Sequence, residues 1–297
     1  MPDARASTAG AIALSAPQPA RRVGLVRRLL RQRGVTVGAL ILAALALMAL
    51  GAPWLAPADP LKTSPRSALE PPGARYPLGS DQFGRDVASR VLYGARVSLT
   101  VGAISVSIAL LLGAPLGLVS GYYGGRLDAF VMRVIDVLLA FPGILLALAI
   151  VSVLTPGLTN VMIAVGLSAV PAYARLVRAT VLSARENLYV EAARAIGGRD
   201  RLILVRYILP NVVAPLIVTA TLGLGTAILS AAALSFLGLG SQPPQPEWGR
   251  MLSEGRDYLR EAWWIATFPG LAIMLTVLAM NLLGDGLRDV LDPRLEV

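Results

Sequence analysis

The chain has 297 residues, of which 55% are hydrophobic and 15% charged, and its mean hydropathy is +0.65. Soluble domains carry about a quarter charged residues, so this composition indicates a membrane protein. The absence of cysteine and histidine excludes disulfide frameworks, thiolate and imidazole chemistry and the usual zinc and copper sites. The net charge of +9 raises nucleic-acid binding as an alternative. The arginines flank apolar segments, however, as membrane topology requires, so no nucleic-acid partner is expected.

The chain begins with a basic segment, residues 1–33, which we expect to form a cytoplasmic tail. It is rich in Ala, Pro and Arg, and it ends in RRVGLVRRLLRQR, a basic amphipathic stretch suited to an anionic lipid surface. The apolar run that follows, 34–56, is longer than the hydrophobic part of a signal peptide. It is therefore predicted to be an uncleaved first transmembrane helix.

A proline-rich segment, 57–95, follows the first predicted helix and includes Pro57, Pro60, Pro71 and Pro72. Proline lacks an N–H group and has a fixed φ, so this density predicts an irregular connection rather than a helix. We expect it on the extracytoplasmic side.

The rest of the apolar chain, 96–285, is predicted to form a compact bundle of five helices. Apolar runs of this length form helices in lipid, because every backbone polar group there needs a partner. The predicted fold is therefore all-α, a polytopic membrane protein with six transmembrane helices. These helices are predicted at 34–56, 97–120, 129–153, 158–181, 211–239 and 263–284.

Arginine density predicts the orientation of the chain. Residues 1–33 and 175–206 are rich in arginine, whereas the 241–262 link balances basic and acidic residues. Cytoplasmic loops carry the excess of basic residues. We therefore expect both termini, including the C-terminal residues 286–297, in the cytoplasm, together with the 182–210 link.

The second predicted helix carries Gly113, Gly117 and Gly121 at four-residue spacing. Small residues at this spacing allow two helix backbones to approach closely in lipid. Packing within this chain is the favoured interpretation, and a contact face for a second membrane subunit is the alternative.

Ionisable residues are almost absent from the predicted spans. Arg133 and Asp136, three residues apart at the cytoplasmic start of the third helix, are expected to form an interfacial ion pair. Ion-coupled carriers need carboxylates or unwound helices near mid-membrane. The chain also lacks a G-x-x-x-x-G-K-[ST] nucleotide-binding motif, and its single lysine, Lys62, lies in the outer segment. Energy for uphill transport is therefore expected to come from another polypeptide at the cytoplasmic face.

The longest cytoplasmic link, 186–210, is charged although apolar runs lie on both sides of it. Ala192, Ala193 and Ile196 are expected on one side of a short helix, and a glycine pair then allows a sharp change of direction. An apolar patch leads to Pro210, which is expected to open the fifth helix. The residues alone leave two interpretations open. One is an interfacial helix beneath the lipid headgroups, and the other is a docking surface for another protein.

The same link carries a spaced motif: E-A-A, three residues, Gly, nine residues, a hydrophobic position and then L-P. This pattern resembles the loop motif of permease subunits in binding-protein-dependent ABC importers. Tyr207 stands where that family commonly has isoleucine, a mild departure. The matching residues are Glu191, Ala192, Ala193, Gly197, Leu209 and Pro210.

Four further blocks, 76–99, 124–142, 234–256 and 281–295, resemble the dipeptide/oligopeptide/nickel branch of that family. Within the branch they are most similar to the C-type permease subunit. The resemblance covers most of the chain after the tail, and five blocks in matching order are far more specific than one loop motif.

The resemblance implies a type I ABC importer permease bundle that moves short peptides across the bacterial cytoplasmic (inner) membrane by alternating access. Nickel chelates and glutathione are the alternative cargoes. The implied partners are a second homologous permease subunit, two ATP-binding subunits, an extracytoplasmic solute-binding protein and membrane lipid. In that family the motif loop docks into a cleft of the ATPase subunit. The resemblance therefore implies that ATP and Mg are held by the partner subunits, and that this chain is not an enzyme and has no cofactor, catalytic residue or metal site of its own. Residues that bind the cargo are not identified.

Two outer blocks have alternative interpretations. Asp81, Gly84, Arg85 and Asp86 are expected to form a local turn with ion pairs, and contact with the solute-binding protein is the alternative. A metal site at the two aspartates is not expected, because no other cluster of oxygen ligands accompanies them. Residues 242–249, QPPQPEWG, are expected to cap the outer mouth, and contact with the binding protein is an equal alternative.

A charged C-terminal end is expected to be structural, with an added contact to the ATPase as the alternative; it comprises Asp285, Arg288, Asp289, Asp292 and Arg294. Two rival functions for the whole chain are disfavoured. A secondary transporter or channel is disfavoured by the lack of mid-membrane carboxylates. A membrane enzyme is disfavoured by the lack of His, Cys and any catalytic dyad spacing.

Overall fold

The computed structural model describes residues 32–291. The predicted basic tail lies almost wholly outside them, as do Asp292 and Arg294. The regular structure of the described residues is helical apart from an isolated β-bridge between Ser80 and Asp86. The helices are α1 (Arg33–Leu55), α2 (Val87–Tyr123), α3 (Gly125–Leu139), α4 (Gly143–Leu154), α5 (Leu158–Arg185), α6 (Leu188–Ala195), α7 (Asp200–Phe236), α8 (Trp248–Gly255) and α9 (Trp264–Leu291).

Five of these helices, α1, α2, α5, α7 and α9, are long and apolar enough to cross a membrane, and the pair α3 and α4 makes a sixth candidate span if counted together. The prediction of an all-α polytopic membrane protein is confirmed. Short 3₁₀ turns at Pro65–Ser67 and Arg256–Tyr258 lie in the connections between the long helices.

The third predicted span is not one straight helix, which corrects the prediction for 129–153. It is two helices, α3 and α4, bent by 92°. The break falls at Phe141-Pro142. Pro142 has no N–H to continue the helical ladder and its ring clashes with the preceding turn, so the helix ends before it and restarts after it.

The ion pair predicted within α3 is also wrong. Asp136 bonds to Arg175 of α5 at 2.5 Å, while Arg133 is exposed. One turn from the start of α3, Asp128 accepts two hydrogen bonds from Arg178, at 2.5 and 2.6 Å. Because α3 lies against α5, the aspartates of α3 pair with arginines of α5 rather than with a residue one turn away in α3.

Two helices begin earlier than the apolar pattern predicted. Helix α2 begins at Val87, where the Asp86 carboxylate accepts a hydrogen bond from the Ser89 N–H at 2.7 Å and caps the helix. Helix α7 begins at Asp200 rather than near residue 211. Both extensions carry charged residues, so hydropathy alone detects only the apolar part of each helix.

The glycine stripe of α2 packs against α5 of the same chain, as favoured from the sequence. A Cβ at Gly113 would lie 2.8 Å from the Val170 carbonyl oxygen, and one at Gly121 would lie 2.9 Å from the Val181 side chain. A Cβ at Gly117 would overlap the Ala174 carbonyl oxygen. The backbones of α2 and α5 are therefore in contact along the stripe.

The bundle has two ends, which we call the loop end and the far end. The loop end holds residues 186–210 and also the start of α1 and the end of α9, where Gln32 donates to Asp289 at 3.4 Å. The far end holds residues 57–86 and α8. An apolar cluster lies at each end, and a third packs the middle of α2, α5 and α7.

Candidate functional site

The site predicted from the sequence, residues 186–210, folds as a short helix, a glycine turn and the start of a long helix. Helix α6 ends in a Schellman motif, in which the Gly197 N–H donates to Arg194 O and the Gly198 N–H to Ala193 O, both at 2.9 Å. Gly197 has a φ of 79°, the left-handed conformation that glycine adopts without a Cβ penalty. A Cβ at Gly198 would lie 2.6 Å from the Ala193 carbonyl oxygen. Both glycines are therefore required by the turn itself.

One side of α6 is packed onto the bundle. Val190 and Ala193 are buried in the loop-end cluster against Val177 and Val181 of α5 and Ile203 of α7. These contacts fix the helix to the ends of two long helices. The loop is therefore held to the bundle while its other side remains open.

The opposite side of α6 is exposed and mostly apolar. Leu188 is 81% exposed and Ile196 86% exposed, and Ala192 and Glu191 are exposed beside them. Ala193 was predicted to share a side with Ala192 and Ile196, but it faces the bundle instead. A step of 100° per residue separates neighbours on a helix, so the i, i+4 pair 192 and 196 points outward while 193 points inward.

The end of the motif begins the regular α-helical part of α7, Leu209–Phe236, with Pro210 in its first turn as expected, although α7 as a whole extends back to Asp200. A π-helical turn, Leu204–Ile208, precedes it, and the Leu209 N–H donates to the Leu204 carbonyl. Proline has no N–H to give the carbonyl four residues before it, and the wider turn accommodates this loss. Leu209 and Pro210 therefore lie within α7, which connects the loop directly to the membrane span.

The far end contains a buried ion cluster made by three separate segments. Arg85 donates to Asp81 at 2.6 Å and to Glu254 of α8 at 3.0 Å. Arg90 of α2 lies 3.1 Å from Glu254 and 3.5 Å from Asp81. The predicted local turn with ion pairs is thus present, and it extends to α8, which the sequence did not reveal.

The turn at Asp81 is closed by the chain itself. The Asp81 carboxylate accepts from the backbone N–H groups of Phe83 and Arg85, each at 2.9 Å. Gly84 has a φ of 71°, and a Cβ there would overlap the Ser64 carbonyl oxygen. The Asp81 carboxylate and the Oδ2 atom of Asp86 thus bond to partners within the chain.

Residues 242–249 lie over the far end, consistent with the expected cap. Gln242 and Gln245 are exposed, while Trp248 is fully buried and its indole N–H donates to the Val91 carbonyl at 3.0 Å. Burial raises the pKa of Glu247. Its carboxylate accepts hydrogen bonds from the backbone N–H groups of Gly249 and Arg250, and these bonds oppose the rise. This carboxylate is therefore the N-cap of α8.

Comparison with known proteins relates this architecture to a family and to a solved structure. The model of the family described as "Binding-protein-dependent transport system inner membrane component" matches residues 113–297, and that of the N-terminal TM domain of oligopeptide transport permease C matches residues 23–72. Among solved structures, the inward-facing MetNI methionine ABC transporter matches with a TM-score of 0.55, covering 67% of this chain and 95% of that chain. Its identity of 21% shows a shared fold alone.

Two relatives extend over nearly the whole chain. The dipeptide transport system permease protein DppC of Alkalihalophilus pseudofirmus is 48% identical over 270 residues, which are 91% of this chain and 89% of the relative. The glutathione transport system permease protein GsiD of Pectobacterium atrosepticum is 48% identical over 271 residues, 91% and 90% of the two chains. The predicted resemblance is confirmed, as is the prediction of a permease subunit rather than an enzyme. The chain belongs to the family of inner membrane components of binding-protein-dependent transport systems.

Proposed function

We propose that this chain is a permease subunit of an ATP-driven importer for short peptides. The observation that carries the proposal is the loop 186–210, a helix held to the bundle on one side and apolar and exposed on the other. A water-facing Leu and Ile on a fixed helix are typical of a surface that another protein covers. The relative named as a dipeptide permease supports peptides as the cargo.

The loop is proposed to dock into an ATP-binding subunit. The exposed side of α6, with Glu191, Ala192 and Ile196, meets the partner, and the turn at Gly197 brings the backbone close to it. Leu209 and Pro210 carry the movement into the span of α7. ATP and Mg are held by two such partner subunits, whose closure around ATP rotates the bundle between inward and outward access.

The proposed orientation places the loop end in the cytoplasm. The loop carries Arg194, Arg199, Arg201 and Arg206, in agreement with the excess of basic residues on cytoplasmic loops. Gln32 and Asp289 lie at this same end, so both termini are proposed to be cytoplasmic. The far end then faces an extracytoplasmic solute-binding protein, and a second homologous permease completes the pathway in the inner membrane.

The docking proposal is tested by changing the exposed side of α6 in the complete transporter, purified through a tag on this chain. Ile196→Asp places a charge on the apolar face, and Gly197→Trp adds bulk at the turn. Both are expected to abolish co-purification of the ATP-binding subunit and peptide uptake, while the permease still inserts into the membrane. Leu259→Asp, an exposed apolar position at the far end, is the control and keeps the ATP-binding subunit. Normal co-purification with both loop variants would contradict the docking surface.

Glutathione is the second candidate cargo, because a glutathione permease is equally similar to this chain. Uptake of a labelled dipeptide and of glutathione by the same proteoliposomes, supplied with the cognate binding protein, separates the two. Import of glutathione without import of dipeptides would overturn the peptide assignment. Uptake that persists after ATP depletion in energised vesicles would instead indicate a secondary transporter.

A further inference from the structure

Helix α2 runs the full depth of the bundle. Its 37 residues correspond to about 55 Å at 1.5 Å per residue, which exceeds the hydrocarbon thickness of a membrane. Its first turn lies in the far-end ion cluster and its last turn lies against the loop. It is therefore positioned to connect the two ends directly.

At the loop end, Tyr122 of α2 contacts the loop through its hydroxyl and its ring. Its hydroxyl donates to the Asp200 carboxylate at 2.7 Å, and the Arg194 guanidinium lies 5.5 Å from its ring centroid. Asp200 is the first residue of α7 and Arg194 lies near the end of α6, so Tyr122 contacts both helices that flank the glycine turn. A hydroxyl bonded to a carboxylate makes a charge-assisted bond, which is stronger than a neutral one.

This contact adds a third attachment for the loop. The chain itself joins the loop to α5 and to α7, whereas α2 is joined to it only through side chains. The ring of Tyr122 is buried in the same apolar cluster as Val190 and Ala193 of α6. A displacement of α6 therefore acts on the end of α2 as well as on the two helices that are continuous with the loop.

At the far end, α2 is held equally firmly. Arg90, in its first turn, is 1% exposed and bonds Glu254 of α8. Between the two ends, Gly113 and Gly117 hold α2 against α5 at backbone contact. A helix that is anchored at both ends and in backbone contact with its neighbour between them is placed to pass a displacement from one end to the other.

We propose that Tyr122 is a positioning residue that attaches the second span to the loop, so that α2 carries the loop's movement to the far end of the bundle. This inference rests on the proposed docking of the loop to an ATP-binding subunit. It adds that the movement follows α2, in addition to the route through Leu209 and Pro210 into α7.

The test is the ratio of peptide imported to ATP hydrolysed by the complete transporter in proteoliposomes. Tyr122→Phe removes only the hydroxyl and keeps the ring beneath Arg194. It is expected to lower the ratio about tenfold, a typical size for coupling between two sites, while the ATP-binding subunit still co-purifies. Tyr123→Phe is the matched control, since Tyr123 is 56% exposed on the same turn, and it should leave the ratio unchanged.

Asp200→Asn provides an independent variant of the same bond, and combining it with Tyr122→Phe completes a double-mutant cycle. If the bond carries the movement, the double variant loses no more than the stronger single variant. An unchanged ratio in both single variants, or losses that multiply in the double variant, would overturn the proposal. These outcomes differ from failure of the docking proposal, which would appear as normal co-purification of the ATP-binding subunit with Ile196→Asp.

Discussion

Charged residues lie in opposite environments at the two ends of the bundle. At the far end, Asp81, Arg85 and Arg90 are buried, and both arginines bond to Asp81 and to the half-buried Glu254. At the loop end, the charged residues of 186–210 are mostly exposed. The far end is thus closed by contacts within the chain, whereas the loop presents a surface to which a second protein can bind.

The difference has an energetic basis. A buried charge is costly unless it is paired, so each member of the far-end cluster depends on the others. An exposed charge is solvated by water and contributes little to stability. Substitutions at the far end are therefore expected to act on folding, and substitutions in the loop on association and transport.

The largest stability effect is expected from Arg90→Ala, which leaves Glu254 with fewer partners in a buried site. The expected loss is about 3–5 kcal/mol in the free energy of unfolding, measured on the purified chain in detergent. Arg256→Ala is the control, because the Arg256–Asp257 pair is exposed, and its effect should stay within about 0.5 kcal/mol. Equal effects of the two variants would remove the distinction between buried and exposed pairs.

A smaller loss of stability is expected from a substitution at the contact between α2 and α5, in the middle of the bundle. Gly117→Ala forces a Cβ against the Ala174 backbone, and overpacking of this kind costs about 1–3 kcal/mol. Gly143→Ala is the matched control, since no atom lies within 4 Å of a Cβ there. Thermal unfolding of both variants in detergent checks the prediction, and an unaltered Gly117→Ala protein would show that α2 and α5 can separate.

Trp248→Phe tests how firmly α8 closes the far end. It removes the indole hydrogen bond to Val91 and leaves a small cavity, with an expected loss of about 1–2 kcal/mol. Trp263→Phe makes the same substitution at a half-exposed tryptophan and should cause a smaller loss of stability. A larger loss at Trp263 would contradict the assignment of Trp248 as the anchor of α8.

The smallest stability effect is expected in the loop. Leu188→Ser removes an exposed apolar side chain, and the free energy of unfolding of the isolated chain should change by no more than about 0.5 kcal/mol. Peptide uptake by the complete transporter should nevertheless fall, because the docking surface is altered. A substantial loss of stability would place Leu188 in the core rather than on the docking surface.

Much of the fold could be predicted from the residues. Five of the six spans predicted from long apolar runs are single long helices in the structure. The glycine spacing of α2 correctly predicts a close helix contact within the chain. These features are local, since length and small-residue spacing act through the helix that carries them. The E-A-A motif likewise locates the loop, and its glycine turn follows from residues five positions apart or closer.

Other features depend on neighbours distant in sequence. Asp136 lies near Arg133 in the chain but pairs with Arg175, and Asp81 joins Glu254 through Arg85 and Arg90. Helix α2 begins before its apolar segment because Asp86 caps its first turn. Helix α7 begins at Asp200 because Tyr122 bonds to the Asp200 carboxylate and Ile203 is buried in the loop-end cluster.

The sequence by itself determined the membrane class, the helical fold, the glycine turn of the loop and the family, because each follows from local pattern or contiguous similarity. Only the tertiary structure decided which side of α6 is covered, where α3 bends away from α4, and which charges are buried together. Those outcomes depend on which helix faces lie against each other, and a face-to-face contact is a property of two segments rather than of either one. The bond from Tyr122 to Asp200 is of this second kind, since 78 positions separate the two residues.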